Sequence, residues 1–240
     1  DLLSTIFFNV AGIENWRMLT VLWAIVPFAN ILLYAGAPIK VLVEKEEALP
    51  VKKMFAMKLF WLFFLLMICS GAAEQAMSQW ASYFAESGLK VSKTMGDLMG
   101  PCMFAILMGA SRTFYGVKGE KIPLKKFISI SSVLCAVSYL LAVFAPVPVL
   151  SLVGCALCGL SVGIMWPGVF SLGAEYCPQG GTAMFAFFAL AGDIGCSGGP
   201  SVVGMVSNAF GGELKAGLLA AIIFPVLLLV GVNRLRSTAK

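Results

Sequence analysis

The chain has 240 residues, of which 60% are hydrophobic and 12% charged, and its mean hydropathy is +0.93. A soluble domain carries about twice that charged fraction, so water is excluded as the solvent for most of this surface. The formal charge of +5 does not point to nucleic acid, because the 17 basic residues sit in short stretches between apolar runs, where they set membrane orientation. There is no histidine, which removes the commonest general base and metal ligand and argues against an enzyme, a bound metal or a cofactor.

In chain order, an apolar stretch over residues 2–13 follows Asp1 with no signal-peptide pattern, as expected of a sequence that begins partway through a longer protein. Crossing a bilayer takes about 20 apolar residues in a helix. Seven runs qualify: residues 18–36, 59–84, 95–111, 127–145, 149–172, 182–207 and 216–233. The ten-residue alternation of a membrane barrel is absent, and backbone hydrogen bonding in lipid then leaves helices. The expected fold is an all-α polytopic membrane bundle of about seven transmembrane helices. Thirteen of the seventeen cations fall on one side: Lys40, Lys45, Lys52, Lys53 and Lys58, then Arg112, Lys118, Lys121, Lys125 and Lys126, then Arg234, Arg236 and Lys240. Arg17, Lys90, Lys93 and Lys215 fall on the other. The positive-inside rule makes the richer side cytoplasmic, so the C-terminus is expected inside and the location is the plasma (cytoplasmic) membrane. The charged loop at 37–58, with Glu44, Lys45, Glu46 and Glu47, separates one leading helix from six closely connected ones. Three units are expected: 1–36, an external segment and a helix; 37–58, a cytoplasmic linker; and 59–240, a six-helix domain.

Ionisable groups at membrane depth are costly and mark pathways or couplings. Glu74 lies sixteen positions after Lys58, about 24 Å along a helix, and Asp193 eleven after Thr182, about 16 Å. A carboxyl in a poorly hydrated cavity can cycle a proton, the requirement for proton-coupled symport. Ser78 shares the face of Glu74 one turn on, and Gln75, Gln79 and Ser82 mark a second polar stripe. Trp80 and Tyr83 read as a platform for a substrate or as an interfacial belt. Trp166 adjoins Pro167, which bends or loosens the helix, and is read as a substrate contact at mid-depth or as filling. Pro27, Pro101, Pro200 and Pro225 repeat the bend theme in other runs. Gly159 and Gly163, and Ala191, Gly195 and Gly199, fall at four-residue spacing and read as close helix contacts. Asp97, Glu175 and Arg17 are expected at solvated rims. Cys155 and Cys158 form a C-x-x-C inside an apolar run, with no context for redox or zinc chemistry.

Residues 109–121 read Gly-Ala-Ser-Arg-Thr-Phe-Tyr-Gly-Val-Lys-Gly-Glu-Lys. They resemble the degenerate second copy of the glycine-and-basic loop motif of the major facilitator superfamily, and Gly109, Arg112, Gly116, Gly119 and Lys121 carry the match as a gating loop. The family usually has an Asp just before the basic residue, where this chain has Ser111. Gly71 to Tyr83, Gly163 to Gly173 and Gly192 to Pro200 are similar to helices seven, ten and eleven of the family's fucose-permease-like branch. The resemblance implies that the first run is helix six and the others helices seven to twelve, and that an N-terminal half is missing. It further implies alternating-access transport of a small solute, a sugar-like molecule with protons, through Glu74, Gln75, Ser78, Trp80, Trp166 and Asp193. Efflux of drugs or metabolites shares these features. A seven-helix receptor fits the helix count, but a buried retinal lysine, an Asp-Arg-Tyr after the third run and an Asn-Pro-x-x-Tyr in the seventh are absent.

Overall fold

The computed structural model describes residues 6–10, 15–37 and 49–235, and no strand occurs among them. Every apolar run becomes helix. The first is α1, Trp16–Ala35. After a short α2, Val51–Ala56, the second is α3, Lys58–Tyr83, prolonged by a π-helical turn at Phe84–Gly88. The third is a single rod built of α4, Lys93–Asp97, a π-helical turn at Leu98–Cys102, and α5, Met103–Lys118. The fourth is α6, Leu124–Phe144. The fifth divides into α7, Pro148–Val162, and α8, Met165–Tyr176. The sixth is α9, Gly181–Ala209. The seventh divides into α10, Leu214–Ala221, and α11, Ile223–Arg234.

By length and apolar composition, six spans among the described residues can cross a membrane. The α4–α5 rod is not one of them, and it carries Asp97 and Arg112. The expected seventh helix is therefore present but more polar than the rest, and its polar groups are directed at neighbouring helices. The prolines divide into two kinds. Pro101 falls in the π-helical turn, and Pro167 and Pro225 fall just after the breaks in the fifth and seventh spans. Each lacks the N–H that would bond the carbonyl four residues earlier. Pro27 and Pro200 lie inside uninterrupted helices.

The six-helix block closes around Phe60, Phe63, Met67, Met77, Tyr139 and Phe188, all buried. Its most extensive contact joins α3 to α9, and small residues allow it. A Cβ on Gly71 would stand 3.1 Å from the backbone nitrogen of Cys196, and one on Gly199 would stand 2.7 Å from Ala72 Cα. Gly159 of α7 meets the backbone of Phe104 in α5 in the same way. The four-residue spacings thus serve close helix packing. Hydroxyls on α6 bond back to the preceding turn, Ser132 to Ile128 O at 2.8 Å and Ser138 to Leu134 O at 2.7 Å, so they are satisfied without water.

No residue of α1 is buried. The end of the 37–58 segment, by contrast, packs on the block. Met54 of α2 is fully buried, Phe55 meets Phe187 edge-on at 4.9 Å, and the Leu49 amide donates to Gln179 O at 2.8 Å. The rest of that segment, including Lys40, Glu44, Lys45, Glu46 and Glu47, lies outside the described residues, as do Arg236 and Lys240 and most of the opening apolar stretch. Lys125, at the start of α6, donates through Nζ to the carbonyl of Leu235, just past the end of α11. A cation at a helix C-terminus satisfies a carbonyl that has no partner within the helix.

Candidate functional site

Glu74 belongs to α3 and Arg112 to α5, in two consecutive spans joined by a turn and so running in opposite directions. Each Cα–Cβ bond leans toward the N-terminus of its own helix, so on antiparallel neighbours the two side chains reach toward one another. Arg112 Nη2 lies 3.8 Å from Glu74 Oε2, an ion pair longer than a hydrogen bond. The acid is 14% exposed and the guanidinium 47%. Arg112 Nε donates to the carbonyl oxygen of Gly163 at 3.0 Å. One guanidinium therefore joins α3, α5 and the break between α7 and α8.

This alters the expected gating loop. Gly109, Arg112 and Gly116 lie within α5, whose helix runs on to Lys118; the turn proper holds only Gly119 and Lys121. Arg112 faces Glu74 and not the following turn, because its helix outlasts the apolar run by more than a turn. The departure at Ser111 also acquires a reason. Ser111 is buried, and its Cβ would stand 2.8 Å from a Cβ on Gly163. A carboxylate there would be almost cut off from solvent beside the break at Gly163, where its charge is costly to bury.

The remaining candidates divide by location. Gln75 and Gln79 bond to each other at 3.4 Å along the α3 face, and Ser78 is half-buried beside them. Trp80 turns to α9: its indole N–H donates to Pro200 O at 3.1 Å, and its ring covers Gly204. This is a helix-to-helix contact, with Tyr83 edge-on at 5.9 Å. Trp166 stands on Gly192 of α9, where an added Cβ would collide with the ring. From there, Phe170 and Phe185 continue a stacked series at 6.3 and 5.7 Å. Asp193, next to Gly192, is exposed on α9 and is not part of the Glu74–Arg112 pair. Asp97, expected at a solvated rim, is half-buried and accepts from Ser82 Oγ, fastening α4 to α3.

Sequence reasoning missed Tyr139. Its ring is fully buried and its hydroxyl donates to Ala73 O at 2.9 Å, on the turn that carries Glu74. The available signal was a lone phenol in the middle of an apolar run, since a buried hydroxyl needs a partner. Nearby, the Cys135 and Cys158 sulfurs lie 3.8 Å apart as free thiols. No group of three or more His, Cys, Asp or Glu able to hold a metal occurs among the described residues.

A helical bundle with six apolar spans among the described residues defines a multi-pass integral membrane protein. Residues 2–200 match the family model of the Major Facilitator Superfamily, and the chain belongs to that superfamily of membrane transporters. It is similar to Membrane protein MosC of Rhizobium meliloti, with 29% identity over 150 residues, which make up 62% of this chain and 36% of that protein. No solved structure matches the chain significantly.

Proposed function

We propose that the chain forms part of an alternating-access transporter that carries a small polar, sugar-like solute together with protons, with Glu74 as the coupling acid. In this reading residues 59–240 are the six-helix C-terminal domain and α1 is the last helix of an N-terminal half, whose packing surface would account for the exposure of α1. The Glu74–Arg112 pair carries the reading. A largely buried carboxylate meets a half-exposed guanidinium between the spans, with Gln75 next to the acid, and ionisable groups at membrane depth by default mark a transport path. An acid that can exchange its cation partner for a proton can change charge with each cycle. Trp166 and Asp193 then line the same interior from α8 and α9. The gating role passes to Arg112 together with the open glycines Gly109 and Gly116, which have no neighbour within 4 Å of an added Cβ.

The test uses the complete protein in proteoliposomes loaded with a pH-sensitive dye and challenged with hexoses and polyols. Symport acidifies the lumen when a solute enters downhill. Glu74→Gln should abolish that acidification while leaving solute counterflow. Proton movement unchanged in Glu74→Gln would remove Glu74 from coupling, and alkalinisation on solute entry would replace symport by exchange, the mark of an efflux transporter.

A further inference from the structure

We propose that Arg112 is a positioning residue that transmits the charge state of Glu74 to the break in the fifth span. The idea rests on the reading of Glu74 as the group that changes charge. Pro167 has no N–H, so Gly163 O, four residues earlier, lacks the helical partner it would otherwise have. In a membrane such a carbonyl needs a partner from elsewhere. Here that partner is Arg112 Nε, at 3.0 Å. The adjacent carbonyl, Ile164 O, already accepts from the Gly168 amide at 2.8 Å, so the helix resumes immediately beyond the break.

Arg112 cannot drift from this position while the helices hold their register. Gly163 is pressed against α5, where an added Cβ would come within 2.7 Å of Met108 O and 2.8 Å of Ser111 Cβ. A guanidinium is a rigid planar fork, so fixing one arm on a carboxylate fixes the direction of the other. Two residues beyond the break, Trp166 rests on Gly192 of α9. Cys196 of α9 lies against Gly71, one turn before Glu74 on α3, with Asp193 one turn earlier on α9. Arg112 is the cation of the group. When Glu74 loses its charge, to a proton or to a bound solute, the ion pair vanishes and one neutral carbonyl alone orients a half-exposed side chain. The break at 163–164 then loosens, and α8 can carry Trp166 away from Gly192.

Hydrogen-exchange mass spectrometry of the complete protein in nanodiscs reads the break directly, through peptides covering residues 160–170. Arg112→Gln should raise exchange there roughly tenfold, the worth of one hydrogen bond to a charged group. Glu74→Gln should raise it less, and should add nothing to Arg112→Gln. Pro167→Ala restores an N–H for Gly163 O and should return Arg112→Gln to the native rate; the rise in Glu74→Gln, absent once Arg112 is replaced, is what a merely structural arginine would not predict. Peptides of α6 report whether each variant is folded. If Arg112→Gln does not fold, Arg112→Lys decides, since a point charge cannot serve both partners and should also raise exchange. Native exchange in the Arg112 variants or in Glu74→Gln, or no reversal by Pro167→Ala, overturns the proposal. Raised exchange in a Glu74→Gln protein that still moves protons overturns the coupling role of Glu74 and leaves the link through Arg112 standing.

Discussion

Tyr139 and Glu74 illustrate two ways in which a polar atom survives inside this bundle. The tyrosine hydroxyl is buried and finds the carbonyl of Ala73 on the neighbouring helix; the carboxylate keeps a little exposure and meets a guanidinium. A neutral hydrogen bond of the first kind contributes about 1 kcal/mol net. Tyr139→Phe keeps the ring and removes only that bond, so the melting temperature in detergent should fall by about 2–4 °C, with the loss seen by tryptophan fluorescence or light scattering. An unchanged melting temperature would mean that Ala73 O gains nothing from the phenol. Glu74 was visible in the sequence as an acid in an apolar run, but its partner was not. Side-chain pairing within a helix follows i, i+4 spacing, whereas Glu74 and Arg112 meet across two antiparallel helices. Arg112 also reads naturally as the first cation of a loop, because the run before it ends on small polar residues.

Among the elements, the span boundaries were legible and the interruptions only partly so. Every apolar run became a helix because backbone groups in lipid must bond within their own segment. Pro167 and Pro225 announced the two divided spans, yet Pro200, equally visible, lies in an unbroken 29-residue helix. Whether a proline breaks a helix depends on what receives the freed carbonyl and how neighbours clamp the turn, and those are tertiary facts. The glycines behave similarly. Gly159 and Gly109 lie on facing stretches of α7 and α5, but the first meets the Phe104 backbone, with a Cβ position 2.7 Å from its carbonyl carbon, and the second meets nothing within 4 Å. Gly159→Ala should therefore destabilise the protein by about 1–3 kcal/mol through overpacking. Gly109→Ala should leave stability unchanged or raise it by up to about 1 kcal/mol through helix propensity. Thermal denaturation of both variants checks the contrast, and equal losses would show that packing of α5 on α7 does not distinguish the two sites.

Across the whole molecule, the distribution of cations defines the two ends of the bundle, and the structure employs at least one of them in packing, as Lys125 shows at the end of α11. The orientation itself makes a prediction. A fluorescent protein fused after Lys240 should fluoresce in cells, and alkaline phosphatase fused at the same point should be inactive; the opposite pattern would reverse the assignment of sides. The exposure of α1 beside a well-packed six-helix block is also a property of the whole, and it marks the surface that the proposed N-terminal half would cover.

Composition and periodicity by themselves determined that the chain is an all-helical membrane protein, roughly where each helix lies, and which acids are expensive enough to matter. Those properties follow from the solvent: lipid penalises every unpaired polar group, so the sequence must declare its spans one residue at a time. Only the tertiary structure decided that Arg112 answers both Glu74 and the carbonyl left free by Pro167, and that Ser111 is buried. Those properties depend on which helices lie side by side and in what register, and both are set by small-residue contacts between segments far apart in the chain.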